Sequence, residues 1–504
     1  MGFGLWVLTL VKGDAMKRVP GFFVIALFLP RLAMAANCED LASLKLPDAT
    51  ITSAQSVAAG AVERAKDLPA FCRVAITSKP TSDSDIKIEV WLPASGWNGK
   101  FQAVGNGGWN GAIDQNALAA GVRRGYAVAS TDQGHSGNGG PWMQNAEKLI
   151  DFGYRATHEM TLKGKAVVNA FYGNAPRLSY FTGCSAGGRQ ALKEAQRFPE
   201  DFDGIVAGAP ALNTTGRAAF SMWIAQAQHK DEASFIPPTK FPAIHDAALQ
   251  ACDALDGVKD RVIENPRACT FDPKVLECKA GDEATCLTPP QVETARTMYK
   301  PVVDSKTGKT IFPGLERGSE VGWTTFGSAQ PFAIGQQMFQ FMVFNNPNWD
   351  YKTLNFDSEW AKVEAIEKGN INAMDPNLKP FFARGGKLIH YHGWADQQIP
   401  SGSSVDYYQS VIDTMGGVSK VKENYRMFMV PGMGHCGGGD GPSTFDMLTA
   451  LEQWVEKGKA PEFIPASHVT NGQPDRTRIL CAYPQVATFT GSGDPNDASN
   501  FVCR

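Results

Sequence analysis

The sequence predicts an α/β fold: a mainly parallel sheet covered by helices on both faces, with a large insertion near its middle. Three observations carry that reading. Short apolar strands alternate with helical stretches as far as residue 211, the alternation stops between 212 and 380, and it resumes from 387 to 457.

Residues 86–92, IKIEVWL, alternate like a strand with one solvated face. Residues 100–104 read as a strand that enters the glycine-rich loop Gly105-Asn106-Gly107-Gly108, and GYAVAST (125–131) is another strand. ATHEMTLKGKAVVNAFY (156–172) has helical spacing and is stopped by Gly173-Asn174-Ala175-Pro176. LSYFTG (178–183) leads through CSAGG into the helical run ALKEAQRF, and DGIVAGAP (203–210) reads as the next buried strand. After the interruption come the strand KLIHYHG (387–393), a helix near 403–414, the strand YRMFMV (425–430) and a last helix around 444–457. Residues 36–211 and 381–504 are therefore expected to form one catalytic-type domain, with 212–380 as an inserted cap and the tail from Pro461 as an extension stapled by Cys481 and Cys503.

The chain has 504 residues, 43% of them hydrophobic and 20% charged, and no low-complexity run, which excludes disordered and fibrous classes. Lys and Arg number 48 against 51 Asp and Glu, with no cationic stripe, so nucleic acid is a poor candidate partner. From Met16 the chain reads MKRVPGFFVIALFLPRLAMA: a cationic start, a short apolar stretch and an Ala33-Met34-Ala35 cleavage box. Residues 1–35 are read as a signal-peptide region with its native start at Met16 and cleavage after Ala35, so the mature protein is expected to be secreted or periplasmic, without a membrane anchor. All ten cysteines follow Ala35, and an even number in an exported chain is expected to pair into disulfides.

Gly183-Cys184-Ser185-Ala186-Gly187 matches G-x-S-x-G between a strand and a helix, the setting in which an α/β-hydrolase exposes its nucleophile on a strained turn. Serine needs a base to take its proton and an acid to orient that base. In that fold the acid and then the histidine follow on loops after later strands. Asp396 follows KLIHYHG and His435 follows YRMFMV, so both fall where the mechanism requires them. Ala186, first in the helix, can offer its backbone N–H to an oxyanion. Of the other histidines, His229, His245 and His468 read as surface or packing residues, His158 as structural and His390 as a strand residue; His392 and His135 are placed near the rim of the site. If Ser185 and His435 share a hydrogen bond, Cys184 and Cys436 must lie within disulfide reach of each other.

Cys184-Ser185, Asp396 and His435-Cys436 together resemble the signature of the tannase and feruloyl esterase family, which also includes mono(2-hydroxyethyl) terephthalate hydrolases, and the likeness runs from Cys38 to Cys503. It implies the remaining pairs Cys38 with Cys72, Cys252 with Cys269, Cys278 with Cys286, and Cys481 with Cys503. It also implies a second oxyanion donor in the glycine-rich loop, Gly107 or, by preference, Gly108. The run from Cys252 to Val262 gathers three carboxylates beside Gly257 and, read alone, fits a solvated acidic turn as well as a cation loop. The family resemblance implies a structural Ca2+ there, held by Asp253, Asp256 and Asp260 with the carbonyls of Val258 and Val262; no organic cofactor is expected.

The expected reaction is hydrolysis of a small aromatic ester through an acyl-enzyme on Ser185, with feruloyl or other hydroxycinnamoyl esters first and gallate esters or terephthalate monoesters as the alternative. A catalytically inactive hydrolase fold that serves as a binding module is the reading from a different class. Phe332, Phe339, Phe341, Phe344 and Trp349 are candidates to meet an aromatic acyl group, although each reads equally as cap core. No Lys or Arg lies between Gly327 and Asp350, so that segment offers no clamp for a second carboxylate.

Overall fold

A computed structural model describes residues 37–504, so the leader features from Met16 to Ala35 lie outside the described residues. Nine strands form one sheet: β1 (Ala49–Val57), β2 (Phe71–Ser78), β3 (Ile86–Pro93), β4 (Lys100–Val104), β5 (Ala127–Thr131), β6 (Leu178–Cys184), β7 (Gly204–Gly208), β8 (Lys387–Gly393) and β9 (Tyr425–Val430). Their spatial order is β1-β2-β3-β5-β4-β6-β7-β8-β9. The pairs β1/β2, β2/β3 and β3/β5 are antiparallel. From β5 to β9 every neighbouring pair is parallel. Helices α1 (Gln115–Arg123), α2 (Ala156–Tyr172) and α3 (Ala186–Arg197) precede the long insertion between β7 and β8. Helices α4 (Thr214–Gln228), α5 (Phe241–Cys252), α6 (Pro289–Tyr299) and α7 (Phe356–Glu367) lie within it, and α8 (Gly402–Met415) and α9 (Met447–Lys457) follow it. This is an α/β-hydrolase fold with a large inserted segment.

Strand periodicity builds two cores, one on each face of the sheet. Phe101, Ala103, Phe181, Ile205, Leu388 and Met427 point to the face covered by α2, α3 and α8. Val104, Tyr180, Val206, Ile389, Phe428 and Val430 point to the other, against Leu118 of α1 and Leu451 and Trp454 of α9. Each large apolar side chain fully buried this way contributes roughly 1.5–3 kcal/mol. Helix α2 ends where its sequence says it should, with Gly173 in the left-handed region at φ 72°.

The insertion is more regular than its sequence suggests. Its only strands among the described residues are the short pair Val302–Val303 and Thr310–Phe312, and the rest is helix and turn. Helix α4, TTGRAAFSMWIAQAQ, is buried on most of its circumference, so it carries no polar stripe from which a helical period can be read. The core of the insertion, with Phe220, Phe241, Trp323 and Phe339, continues into Trp109, Met143 and Phe152 of the loops that follow β4 and β5.

A buried histidine also ties the insertion to the loop that follows β9. His245 of α5 places Nδ1 2.9 Å from Glu320 and Nε2 3.1 Å from Asp440. Burial lowers its pKa, but the hydrogen bonds and charges of Asp440 and Glu320 outweigh that and raise it to about 9. A folded-state pKa above the unfolded value makes the stabilisation complete below pH ~6.5 and lost as pH rises through about 9. The melting temperature of the wild-type protein should therefore fall more steeply between pH 7 and pH 10 than that of His245→Gln. Parallel curves in a thermal-melt pH series would contradict this.

Candidate active site

Strand β6 delivers Gly183 and Cys184 to a sharp turn at Ser185, which sits at φ 66°, ψ −122° before α3 begins. The turn is closed by its neighbours: the Ser185 N–H donates to the Gly208 carbonyl at 3.0 Å, and the Ser185 carbonyl accepts from Arg189 and Ala211 at 3.0 Å each. A Cβ on Gly183 would lie 2.5 Å from the Gly187 carbonyl carbon, and one on Gly105 would lie 2.4 Å from the Gly187 Cα. The glycines of the motif and of the β4 loop are thus needed for backbone to pass against backbone.

Ser185 Oγ lies 2.9 Å from His435 Nε2, and His435 Nδ1 lies 2.7 Å from Asp396 Oδ2. The other oxygen of Asp396 accepts the backbone N–H groups of Gln398 at 2.7 Å and Ile399 at 2.8 Å. Burial alone would raise the Asp396 pKa, but the charge of His435 and the hydrogen bonds from His392 and His435 outweigh it and hold the carboxyl well below the usual carboxylate range. The arrangement can pass the Ser185 proton to His435 and hold the resulting imidazolium against a carboxylate. Cys184 and Cys436 form a disulfide with Cα atoms 6.0 Å apart, so the turn bearing Ser185 and the loop bearing His435 are joined covalently. The other four expected pairs are also present.

Gly108 and Ala186 line one cavity together with Ser185; Gly107 does not. Its remaining wall differs from the sequence expectation. Trp109, Phe152, Ile334 and Gln398 supply it, along with Arg189 and Arg217. Phe339, Phe344 and Trp349 stack on one another instead, with ring centroids 5.0–6.2 Å apart, and so belong to the insertion's core. The segment 327–350 does lack a cation, yet Arg217 of α4 reaches the cavity from another element. Trp109 donates its indole N–H to the Ile334 carbonyl at 3.1 Å, and the Arg189 guanidinium, 4.7 Å from the Phe152 ring centroid, holds that wall in place. Only the fold brings these residues together from the β4 loop, the segment after β5 and the insertion.

Neither rim histidine lies at the rim. His135 is buried and stacks on Trp142 at 4.3 Å, with burial driving its pKa down to about 4. His392 is completely buried behind Asp396, its Nε2 3.1 Å from Asp396 Oδ2 and its Nδ1 2.6 Å from Ser404 Oγ. Ser404 Oγ is in turn 2.8 Å from His390 Nε2, and His390 Nδ1 is 2.7 Å from the Tyr425 hydroxyl. One direction satisfies the whole chain: Tyr425 donates to His390, His390 to Ser404, Ser404 to His392, and His392 to Asp396.

In the acidic loop, Asp253 accepts the N–H groups of Asp260 and Arg261, Asp256 that of Val258, and Asp260 that of Val262. The second oxygen of Asp260 faces Arg478 and Arg476. Burial, followed by the charges of Asp260 and Asp253, raises the Asp256 pKa to about 6. The side chains of Val258 and Val262 are buried in the same loop. Among the described residues, the set of three metal-type ligand atoms that converge within 4.8 Å is a different one, His158, Glu194 and Asp201.

Residues 72–504 match the family model for tannase and feruloyl esterase. The chain belongs to this family. It is 38% identical to an uncharacterized esterase of Xanthomonas campestris pv. campestris, over 95% of this chain and 93% of that protein. It is 35% identical to a probable feruloyl esterase B-1 of Aspergillus oryzae, over 93% of each chain. The crystal structure of feruloyl esterase B from Aspergillus oryzae superimposes with a TM-score of 0.87 at 34% identity, covering 93% of this chain and 99% of that one. The tannin acyl hydrolase of Aspergillus niger shares the fold, with a TM-score of 0.74 at 24% identity over 92% of each chain. The protein is accordingly a carboxylic ester hydrolase of the feruloyl esterase and tannase type.

His392 supplies one of the two donors to Asp396 Oδ2, so its loss should loosen the carboxylate that orients His435. For His392→Ala the expected result is a fall in kcat of about 10–100-fold with KM little changed, the scale of one lost charge-assisted hydrogen bond. His392→Asn, which keeps an N–H donor, should recover part of it. Equal kcat values for wild type and His392→Ala would show that the backbone amides hold Asp396 unaided.

Proposed function

We propose that the protein is an exported serine esterase that hydrolyses esters of phenolic aromatic acids, hydroxycinnamoyl esters first, through an acyl-enzyme on Ser185. The single observation that carries this reading is the unbroken run from Ser185 Oγ to His435 at 2.9 Å and from His435 to Asp396 at 2.7 Å, at the edge of a cavity that Gly108 and Ala186 also line. His435 takes the serine proton as Ser185 attacks the ester carbonyl. The backbone N–H groups of Ala186 and Gly108 receive the oxyanion, and His435 returns the proton to the departing alcohol. Water, activated by the same histidine, then frees the acid. A binding module would have no need of a strained serine clamped to its base, and this disfavours the inactive reading.

The substrate class rests on the aromatic wall of Trp109 and Phe152 and on the likeness to proteins described as feruloyl esterases. Residues 212–380 act in this reading as the cap that covers the serine, and residues 36–211 with 381–504 as the catalytic domain. Five disulfides support an oxidising compartment, hence secretion or a periplasmic location. No described helix is long and apolar enough to cross a membrane. Ser185→Ala should fold normally and lose about 10^5-fold in kcat on methyl ferulate. Substantial residual turnover would overturn the assignment.

The calcium loop belongs to the same proposal. Asp253, Asp256 and Asp260, with the carbonyls of Val258 and Val262, form an all-oxygen donor set suited to Ca2+. The Asp256 pKa is raised first by burial and then by the charges of Asp260 and Asp253, and Asp260 also serves Arg478 and Arg476. When bound, the cation would offset the negative charge of these three aspartates and stiffen the start of the insertion, with no part in the ester chemistry. Calcium at 100 times its Kd would contribute ~2.7 kcal/mol. Chelation with EGTA should therefore lower the melting temperature of wild type and leave that of Asp256→Asn unchanged. A wild-type melting temperature indifferent to EGTA would remove the ion from the account.

A further inference from the structure

A second set of chemistry-bearing side chains lies outside the cavity that Ser185 lines. His158 stands in the first turn of α2, Glu194 near the end of α3 and Asp201 in the loop between α3 and β7, and one ligand atom from each lies within 4.8 Å of the other two. The local chain sets up this meeting. Glu194, Phe198 and Asp201 follow one another at turn spacing, with the Phe198 N–H donating to the Glu194 carbonyl at 2.9 Å and the Asp201 N–H to the Phe198 carbonyl at 3.0 Å. Phe198 stacks on His158 with ring centroids 3.8 Å apart, and this fixes the imidazole plane while His158 Nδ1 lies 2.6 Å from Asp201 Oδ2.

Glu194 is the member left incomplete. It is 1% exposed, and neither of its carboxylate oxygens has a hydrogen-bond partner among the described residues. Lys165, a neighbouring cation, donates to the Asp201 backbone carbonyl instead. Burial and then the charge of Asp201 raise the Glu194 pKa well above the usual carboxylate range. A proton shared with Asp201 would serve one oxygen of Glu194 and leave the other unmet. A buried carboxyl with an unmet oxygen is destabilising unless another group completes it.

A divalent cation seated between the three side chains would complete it. One imidazole nitrogen with two carboxylates selects a zinc-type ion over Ca2+ or Mg2+, which take oxygen ligands. The side chain of His158 is 26% exposed against 8% for Asp201, so the fourth coordination position opens to water on the histidine side. The contact between His158 and Asp201 has to widen to about 3.3 Å, the ligand separation in a tetrahedron with bonds of ~2.0–2.1 Å. A part-exposed imidazole can make that shift without disturbing the core.

We propose that His158, Glu194 and Asp201 form a binding site for one Zn2+ ion, which staples the start of α2 to the end of α3 and takes no part in the ester reaction. The site is independent of the assignment of Ser185 and of the acidic loop.

The experiment titrates untagged protein, stripped with EDTA and dialysed, with Zn2+ in the presence of excess Ca2+ so that the acidic loop does not compete. Binding is followed by calorimetry and unfolding by thermal melts. Wild type is expected to take up one equivalent of Zn2+ and, when saturated, to melt about 3 °C or more higher. His158→Ala, and Glu194→Gln, which keeps the size of the side chain, should each weaken that equivalent about tenfold or more and lose the rise in melting temperature. Circular dichroism should show both variants folded as wild type is. Crystals of the Zn2+-loaded wild type should give an anomalous peak between the three side chains, and this peak decides alone where a variant does not fold. No stoichiometric uptake by wild type, an equivalent that both variants retain undiminished, or an anomalous peak only elsewhere overturns the proposal.

Discussion

The buried carboxylate of Asp396 is the constraint around which this end of the molecule is arranged. It is 1% exposed, and an ion so placed is tolerable only if nearly every lone pair is met by a donor. Four donors meet it, and they come from three places: the amides of Gln398 and Ile399 in its own loop, His392 at the end of β8, and His435 in the loop after β9. Any shift of β8 against β9 would break at least one of these bonds. The parallel register that places His392 opposite Met429 is therefore coupled to the geometry of the site.

That coupling extends in both directions. Behind Asp396, the bonds through His392, Ser404 and His390 to Tyr425 connect β8, α8 and β9 inside one of the two sheet cores, so the orientation of the acid is anchored in the packing of the domain. In front of it, His435 faces Ser185, and the Cys184–Cys436 bridge fixes the distance between their backbones. A strained residue such as Ser185 persists only where the surroundings over-determine it. Here they do so through glycines too close to accept a side chain, three backbone hydrogen bonds and a disulfide.

The insertion contributes differently. Its core is continuous with Trp109 and Phe152, so the wall facing the serine is built partly by the sheet domain and partly by the chain between β7 and β8. Arg189 belongs to that wall as a buried cation that donates to the carbonyls of Gly153, Ile371 and Phe152. Arg217 lines the same cavity, and among the described residues its Nε is buried without a hydrogen-bond partner.

The sequence alone determined the alternating half of the fold. Strand and helix runs such as 100–104, 156–172, 387–393 and 425–430 have the same bounds in the structure, because their side chains face one core or the other with a regular period. It also placed Ser185, Asp396 and His435 in the order and strand-end positions that the structure joins by hydrogen bonds, and it paired Cys184 with Cys436, because local motifs and covalent reach are written in neighbouring residues. The helices of the insertion were not legible, since α4 is buried on most sides and shows no amphipathic period. Nor were the cavity wall of Trp109, Phe152 and Arg217, the position of His392 behind rather than beside the site, or the withdrawal of Phe339, Phe344 and Trp349 into a core of their own. Those depend on which segments, far apart in the chain, come to share one volume, and only tertiary packing decides that.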